Sequence, residues 1–509
     1  MESLTPRRIA VALAALIAIA AAALWFAAGA SDSSAPDVLD ARVAGTCSSC
    51  HALPSPELLP REAWRHSIER MAKLGVSPSP AIGPATAFDV EEVVAWYEAR
   101  APESLPPRVV QSRDGPPPLR FRRRGILLGP GSGSGVATVS RVPAELLPGL
   151  APSLVAPNMA NGSLYLFSLF RGPLRIGEAG HPVRAVPADL DGDGRDELVV
   201  SDLGNPMPSD EPLGRVLALR ARDGSFQLET LLSGVGRVAD ARPIDLDGDG
   251  DLDLVVAAFG MLERGGVHLL YNEDPASLRF RAEKLIDRPG AVSVVPVENL
   301  LPGAGPGFAV AFAQHYELVS FFERNEAGGF DEHVLYRAPH PSWGTSNLEG
   351  VDLDQDGDLD FLLAHGDTLD DGIAFKPYHG VEWLENRGAQ GFTQHEIGPL
   401  YGAHRAEAVD LDGDGDLDVV ASGFLPQVQL PVPEGAARVD SIVWFEQTGE
   451  GWVPWPIESN HPRHTGMTVV DLDEDGDPDV VGAVNTAWDL EPEEGGASLE
   501  VFYNEGPRP

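Results

Sequence analysis

Cysteine is almost absent from this chain. Its 509 residues hold two, three positions apart, so no disulfide framework can brace the fold. Positive charge is scarce as well. Lys and Arg total 37 against 77 Asp and Glu, a formal net charge of −40, which argues against nucleic acid and an anionic lipid surface as partners. Neither shortage signals disorder, because hydrophobic residues make up 43% and charged residues 22%. The chain is too long for one ordinary core, so two or more domains are expected. Abundant Gly (55) and Pro (45) favour many short strands joined by turns.

Arg7 and Arg8 precede an apolar run from Ile9 to Ala30, after which the chain turns polar at Ser31-Asp32-Ser33-Ser34. Basic residues ahead of an apolar core form the export pattern, with the positive end kept in the cytoplasm. Two readings of residues 1–30 stay open. Ala28-Gly29-Ala30 has the small residues of a signal-peptide cleavage site, whereas a run of 22 residues is long enough to span a bilayer. The length favours an uncleaved anchor in the cytoplasmic membrane. Both readings put the rest of the chain on the periplasmic or extracellular side.

Cys47-Ser48-Ser49-Cys50-His51 spends both cysteines on the pattern C-x-x-C-H. Two thiols on one helical turn can form thioethers to both vinyl groups of one porphyrin, and the next imidazole then reaches the iron. A redox dithiol would need a thioredoxin-like βαβ setting, and a zinc site would need further ligands; the sequence offers neither. The motif predicts covalently bound haem c. Trp64, Ile68 and Met71 follow at i, i+4 and i+7, the apolar face of a helix. Met71 is the expected distal ligand, with His66 as its local rival and plain core packing as the other role for Met71. A last helix is expected over Phe88–Arg100. This order of elements resembles small single-haem cytochrome c domains over roughly residues 40–103. The resemblance implies an all-α electron-transfer domain, placed at 31–103.

Pro102, Pro106, Pro107 and Pro116-Pro117-Pro118 mark a semi-rigid linker at 104–118. Beyond it the chain repeats itself. Five loops share D-x-D-x-D-G-x-x-[DE], starting at Asp189, Asp245, Asp352, Asp410 and Asp471, which are 56, 107, 58 and 61 residues apart. The doubled gap hides a degenerate copy at Val294–Leu300, and a second precedes the array at Val142–Leu147. Each unit also carries later strands such as Val267–Asn272 and Val381–Asn386. Seven units of four strands predict a seven-bladed β-propeller over 119–505. The leading segment Leu119–Leu128 is expected to complete the last blade and close the ring.

The candidate metal ligands are Asp189, Asp191, Asp193 and Glu197; Asp245, Asp247, Asp249 and Asp253; Asp352, Asp354, Asp356 and Asp360; Asp410, Asp412, Asp414 and Asp418; and Asp471, Asp473, Asp475 and Asp479. Several hard oxygens around a Gly turn suit calcium better than a softer metal. An EF-hand would need a Glu at position 12 and flanking helices; position 12 of the fourth loop is Ala421 and strands flank it. The array resembles the FG-GAP (VCBS-type) calcium-loop propellers, also found in integrin alpha subunits, and this implies calcium ions that staple hairpins. Glu197 departs from the pattern and points to a weaker first site.

In a four-stranded meander the Asp loops share one face with the turns between strands three and four. The opposite face carries His340, Trp343, Lys376, Tyr378, His379, His404, Arg405, His461 and His464, which form a candidate ligand face. No nucleophile elbow, dinucleotide fingerprint or phosphate loop accompanies them. The first functional expectation is an exported cytochrome that passes electrons to a redox partner protein or small molecule, with the propeller as binding module. A periplasmic redox enzyme with its site on that face, and an adhesion or scaffold propeller, are the alternatives. An electron-transfer or binding role is favoured over an enzyme.

Overall fold

Runs such as Leu198-Val199-Val200 and Leu254-Val255-Val256-Ala257-Ala258 are apolar at every position rather than at alternate ones, so strands built from them must be covered on both faces. The computed structural model shows what covers them. It describes residues 43, 53–74, 89–108, 117–129, 135–143, 153–222, 225–301, 303, 305–368, 375–426, 439–487 and 496–508. Cys47, Cys50, His51 and the segment 1–30 lie outside the described residues. Among the described residues no helix is long and apolar enough to cross a membrane.

Strand β1 (Leu119–Ile126) stands ahead of seven repeating units. Blade 1 is β2 (Ser140–Val142), β3 (Ser153–Pro157), β4 (Ser163–Ser168) and β5 (Gly172–Glu178). Blade 2 is β6 (Pro182–Ala188), β7 (Glu197–Asp202), β8 (Gly214–Arg222) and β9 (Ser225–Val235). Blade 3 is β10 (Val238–Ile244), β11 (Asp253–Ala258), β12 (Gly266–Asp274) and β13 (Arg279–Ile286). Blade 4 is β14 (Ala291–Val297), β15 (Gly307–Phe312), β16 (Leu318–Arg324) and β17 (Phe330–Arg337). Blade 5 is β18 (Thr345–Val351), β19 (Asp360–His365), β20 (Gly380–Asn386) and β21 (Phe392–Pro399). Blade 6 is β22 (Ala403–Val409), β23 (Asp418–Gly423), β24 (Asp440–Thr448) and β25 (Gly451–Ser459). Blade 7 has only β26 (His464–Val470), β27 (Asp479–Val484) and β28 (Leu499–Pro507) of its own.

The fourth strand of blade 7 is β1, which runs antiparallel to β28 from Leu119↔Pro507 to Ile126↔Leu499. The innermost strands β26 and β2 then touch, so the two ends of the chain close one ring of seven sheets. Closure packs the first blade against the last so that no blade face is left bare, and the short inner edges of all seven sheets turn to the central channel. Every residue of β7, β11, β15, β19, β23 and β27 is buried, because each second strand lies between neighbouring blades. Outer strands such as β9 and β13 are half-buried or exposed along much of their length.

Ahead of the propeller, helices α1 (Arg61–Leu74) and α2 (Val90–Glu98) pack together. Asp89 caps α2 by accepting the N–H groups of Glu91 and Glu92. Trp64 stacks on Tyr97 with ring centroids 3.9 Å apart, within an apolar cluster that includes Val43, Leu59, Ile68 and Val94. Met71 is partly buried against that cluster.

Candidate functional site

The Asp loops join the first strand of a blade to its second. At loop position 6 the backbone is left-handed in all five, with φ of 85° at Gly194, 95° at Gly250, 100° at Gly357, 102° at Gly415 and 99° at Gly476. That conformation is why glycine recurs there. In four loops the first Asp accepts this glycine's N–H at 3.0–3.1 Å. Acidic oxygens in each of the first four loops, those of Asp245, Asp247 and Asp253 for example, come within 4.8 Å of one another. Burial, and then the neighbouring carboxylates, push Asp354, Asp412 and Asp473 above the usual carboxylate range.

The ninth loop residue sits deeper than the sequence pattern implies. Oδ2 of Asp253, Asp360, Asp418 and Asp479 accepts the N–H of the loop's own second residue at 3.0–3.3 Å. Oδ1 accepts an N–H from the third strand, at Asn272, Asn386, Gln447 or Asn504, at 2.7–2.9 Å. This acid therefore staples loop to sheet. Burial raises Asp253 to about 6 and Asp418 and Asp479 to about 7.

Sequence reasoning missed the asparagines that receive these staples. Asn272 Nδ2 donates to Leu190 O of the preceding blade at 2.9 Å, Asn386 Nδ2 to Leu300 O at 2.9 Å, and Asn504 Nδ2 to Leu411 O at 3.2 Å. They tie blades 3, 5 and 7 to the blade before each. The only signal was the recurrence of Asn at the end of the third strand.

On the opposite face, each inner strand from β6 onward slips register at its second residue. The bulge turns Val183, Ala239, Val292, Ser346, His404 and Thr465 toward the central axis, where they line a funnel with a cavity of about 190 Å³. Met159, Leu203, Phe259 and Phe424 make part of its wall apolar, while Asp367, His404 and Arg405 make another part polar. Arg184 and Arg405 line both this funnel and the channel below it, forming a neck. There Arg184 and Arg242 pair with Asp240 at 3.1 and 3.0 Å, and Arg405 pairs with Glu407 at 3.0 Å and Glu349 at 3.8 Å. Burial pushes Arg184 down to about 9; burial and then Glu407 push Glu349 up to about 8.

The nine residues expected on one ligand face fall in three places. His404 and Arg405 reach the funnel. His340, Trp343, Lys376, Tyr378 and His379 pack instead into a buried cluster on blade 5, where Trp343 stacks on His365 at 4.4 Å and parallel to Tyr378 at 5.6 Å. Burial lowers His365 to about 3 and His379 well below the usual range; His365 is stacked on Trp343, and His379 meets Tyr378 edge-on. His461 and His464 lie at the joint of blades 6 and 7. His464 Nε2 is 2.7 Å from Glu458 Oε2, and Arg123 of β1 reaches Glu458 at 2.9 Å and Glu500 at 2.6 Å. The His464 ring fits because Gly482 stands behind it: a Cβ there would lie 2.7 Å from Nδ1. The split has a topological cause, since blade-to-blade loops start at the rim and end at the axis.

Arg108 was not anticipated. Its N–H donates to Tyr401 Oη at 2.8 Å, Nη1 donates to Pro377 O at 3.2 Å, and Nη2 pairs with Glu396. The linker's described end is thus fastened to blade 5, beside the His and Trp cluster.

A family model for the FG-GAP-like repeat matches residues 365–421, from the end of β19 through the fourth Asp loop into β23. No curated protein sequence matches the chain. Among solved structures, the chain is similar to one in the crystal structure of BBS1N in complex with ARL6DN, soaked with mercury. The match is 11% identical, covers 77% of this chain and 97% of that one, and has a TM-score of 0.41.

Proposed function

We propose that this FG-GAP-repeat propeller is the binding module of an exported c-type cytochrome. In this reading Cys47 and Cys50 hold haem c through thioethers, and His51 and Met71 are the axial ligands. The observation that carries it is the C-x-x-C-H pattern, which consumes both cysteines ahead of a two-helix unit. The described residues fit such a group in one respect: Met71 lies at the edge of an apolar cluster built on Trp64 and Tyr97. A haem bound there would supply reversible one-electron transfer. Arg108 holds the segment that follows these helices against blade 5, which supports a functional link between the two parts.

The Asp loops fit calcium. Their carboxylates crowd together around a left-handed glycine, and such a set of hard oxygens suits that ion. Such ions staple the first hairpin of a blade and do no chemistry. The partner, a redox protein or a small molecule, binds on the face opposite the loops. The funnel with His404, Asp367 and Arg405 also favours a second reading, in which a small substrate is oxidised there and the haem collects the electrons.

The test is a visible spectrum of the protein made in a haem-maturing periplasm, before and after mild reductant. A covalently held low-spin haem that cycles reversibly is expected, and it is lost in Cys47→Ser/Cys50→Ser. A colourless protein that folds and takes calcium refutes electron transfer and leaves a binding propeller. A substrate that reduces the haem with no protein partner present selects the enzyme reading.

A further inference from the structure

The five Asp loops are not equivalent, and the difference comes from three positions that meet only in the folded chain. At loop position 7 four loops have Asp251, Asp358, Asp416 and Asp477, but the first has Arg195, which pairs with Asp193 at 2.9 Å. At position 9 four loops have Asp and the first has Glu197. The third position is on the third strand. Pairing of Leu198 with Leu219 on β8 puts Arg220 next in line. The corresponding pairings put Tyr271, Glu385, Glu446 and Tyr503 at the same place in the other four blades.

Arg220 enters the carboxylate group of its loop. Its Nη2 pairs with Asp191, Nε is 3.3 Å from Glu197 Oε1, and Nη1 is 3.5 Å from Glu229 Oε1. Its side chain is 3% exposed. A guanidinium stripped of water to that degree persists where carboxylates surround it, and a divalent ion would have to displace it. The longer Glu197 completes the arrangement. One of its oxygens keeps the staple to Leu190 N–H at 3.0 Å, while the other turns to Arg220 instead of to a third-strand N–H. Among the described residues, no Lys or Arg pairs with a carboxylate of the other four loops. Arg324 reaches loop 2 only at a backbone carbonyl, that of Asp247, and leaves its carboxylates unpaired, while Arg281 and Arg122 lie over the rings of Tyr271 and Tyr503 at 4.2 Å from their centroids.

We propose that the loop at 189–197 carries its own cation, the guanidinium of Arg220, and takes no calcium, while the other four loops do. The proposal rests on the calcium reading above, and the experiment separates the two. Calcium bound by the full-length protein is counted by equilibrium dialysis and atomic emission. The unmodified chain binds four ions. Arg220→Tyr, which installs the side chain found in blades 3 and 7, binds a fifth. Asp191→Asn leaves the count at four, and Asp412→Asn lowers it to three. Five ions on the unmodified chain, or a loss on Asp191→Asn, overturns the assignment with the calcium reading intact. So does a count of four on a cooperatively folded Arg220→Tyr. Binding of none by the unmodified chain overturns the calcium reading and the assignment with it.

Discussion

Asn386→Ala removes one tie between blades 4 and 5 and changes little else. The asparagine is buried, its Nδ2 donates to Leu300 O at 2.9 Å and Leu359 O at 3.2 Å, and its Oδ1 accepts the Gly388 N–H at 3.0 Å. Two of these three bonds end on carbonyls that the alanine leaves without the amide donor, and the bond to Leu300 crosses between blades. A net hydrogen bond contributes about 1 kcal/mol, and a buried group left unsatisfied costs about 1–3 kcal/mol. Water can reach the Leu359 carbonyl more readily than the Leu300 carbonyl, since Leu359 is half-buried and Leu300 buried. The expected loss is about 2–4 kcal/mol. Asn386→Asp keeps the shape but turns a carboxylate oxygen toward the same two carbonyls, so it loses at least as much at neutral pH. Urea unfolding followed by tryptophan fluorescence, in saturating calcium, measures both. A loss under about 0.5 kcal/mol for the alanine variant would refute the clamp, because it would mean the inter-blade bond has no net value.

Glu349, buried in the channel neck between Glu407 and Arg405, makes stability depend on pH. Its folded-state pKa is raised from 4.5 to about 8, so the stability it contributes is full below about pH 4.5 and is lost as pH rises through about 8. Glu349→Gln should flatten this fall, a difference on the order of a few kcal/mol by pH 8; equal slopes in the two proteins would count against it. Arg123→Ala removes the cation shared by the buried Glu458 and Glu500 at the ring-closing joint and leaves Glu458 with His464 and Glu500 with Arg463. A loss of about 2 kcal/mol is expected, below the value for a fully buried pair because Arg123 is 39% exposed, with faster amide exchange in β1 as the accompanying sign. Unchanged exchange in β1 would mean the joint does not hold the closing strand.

Much of the propeller was legible because its repeat is local. The Asp loop, its glycine and the flanking apolar strands recur at a fixed spacing, and a closed ring is the arrangement that covers both faces of every blade. Even the pairing of Leu119–Ile126 with the last blade followed from the count of strands, since seven units of four leave one strand over at the front and one missing at the end. The ligand face was legible only as a face. His340 and His379 sit on connecting loops, where the aromatic stack of Trp343 and Tyr378 buries them, while His404 is the second residue of β22 and the bulge there carries it to the axis.

The sequence alone determined what depends on neighbours along the chain: the turn geometry of each Asp loop, the number of blades, and the C-x-x-C-H pattern from which the haem proposal comes. Tertiary structure decided what depends on residues far apart. It set Arg220 among the acids of a loop 23–31 positions earlier, Arg123 against glutamates more than 300 positions later, and Arg108 on blade 5. The reason is physical. A loop's backbone conformation is set by its own steric and hydrogen-bonding limits, which a short stretch of sequence carries whole. The charge around a buried carboxylate is set by whichever side chains the packed sheets bring to it, and no local pattern carries that information.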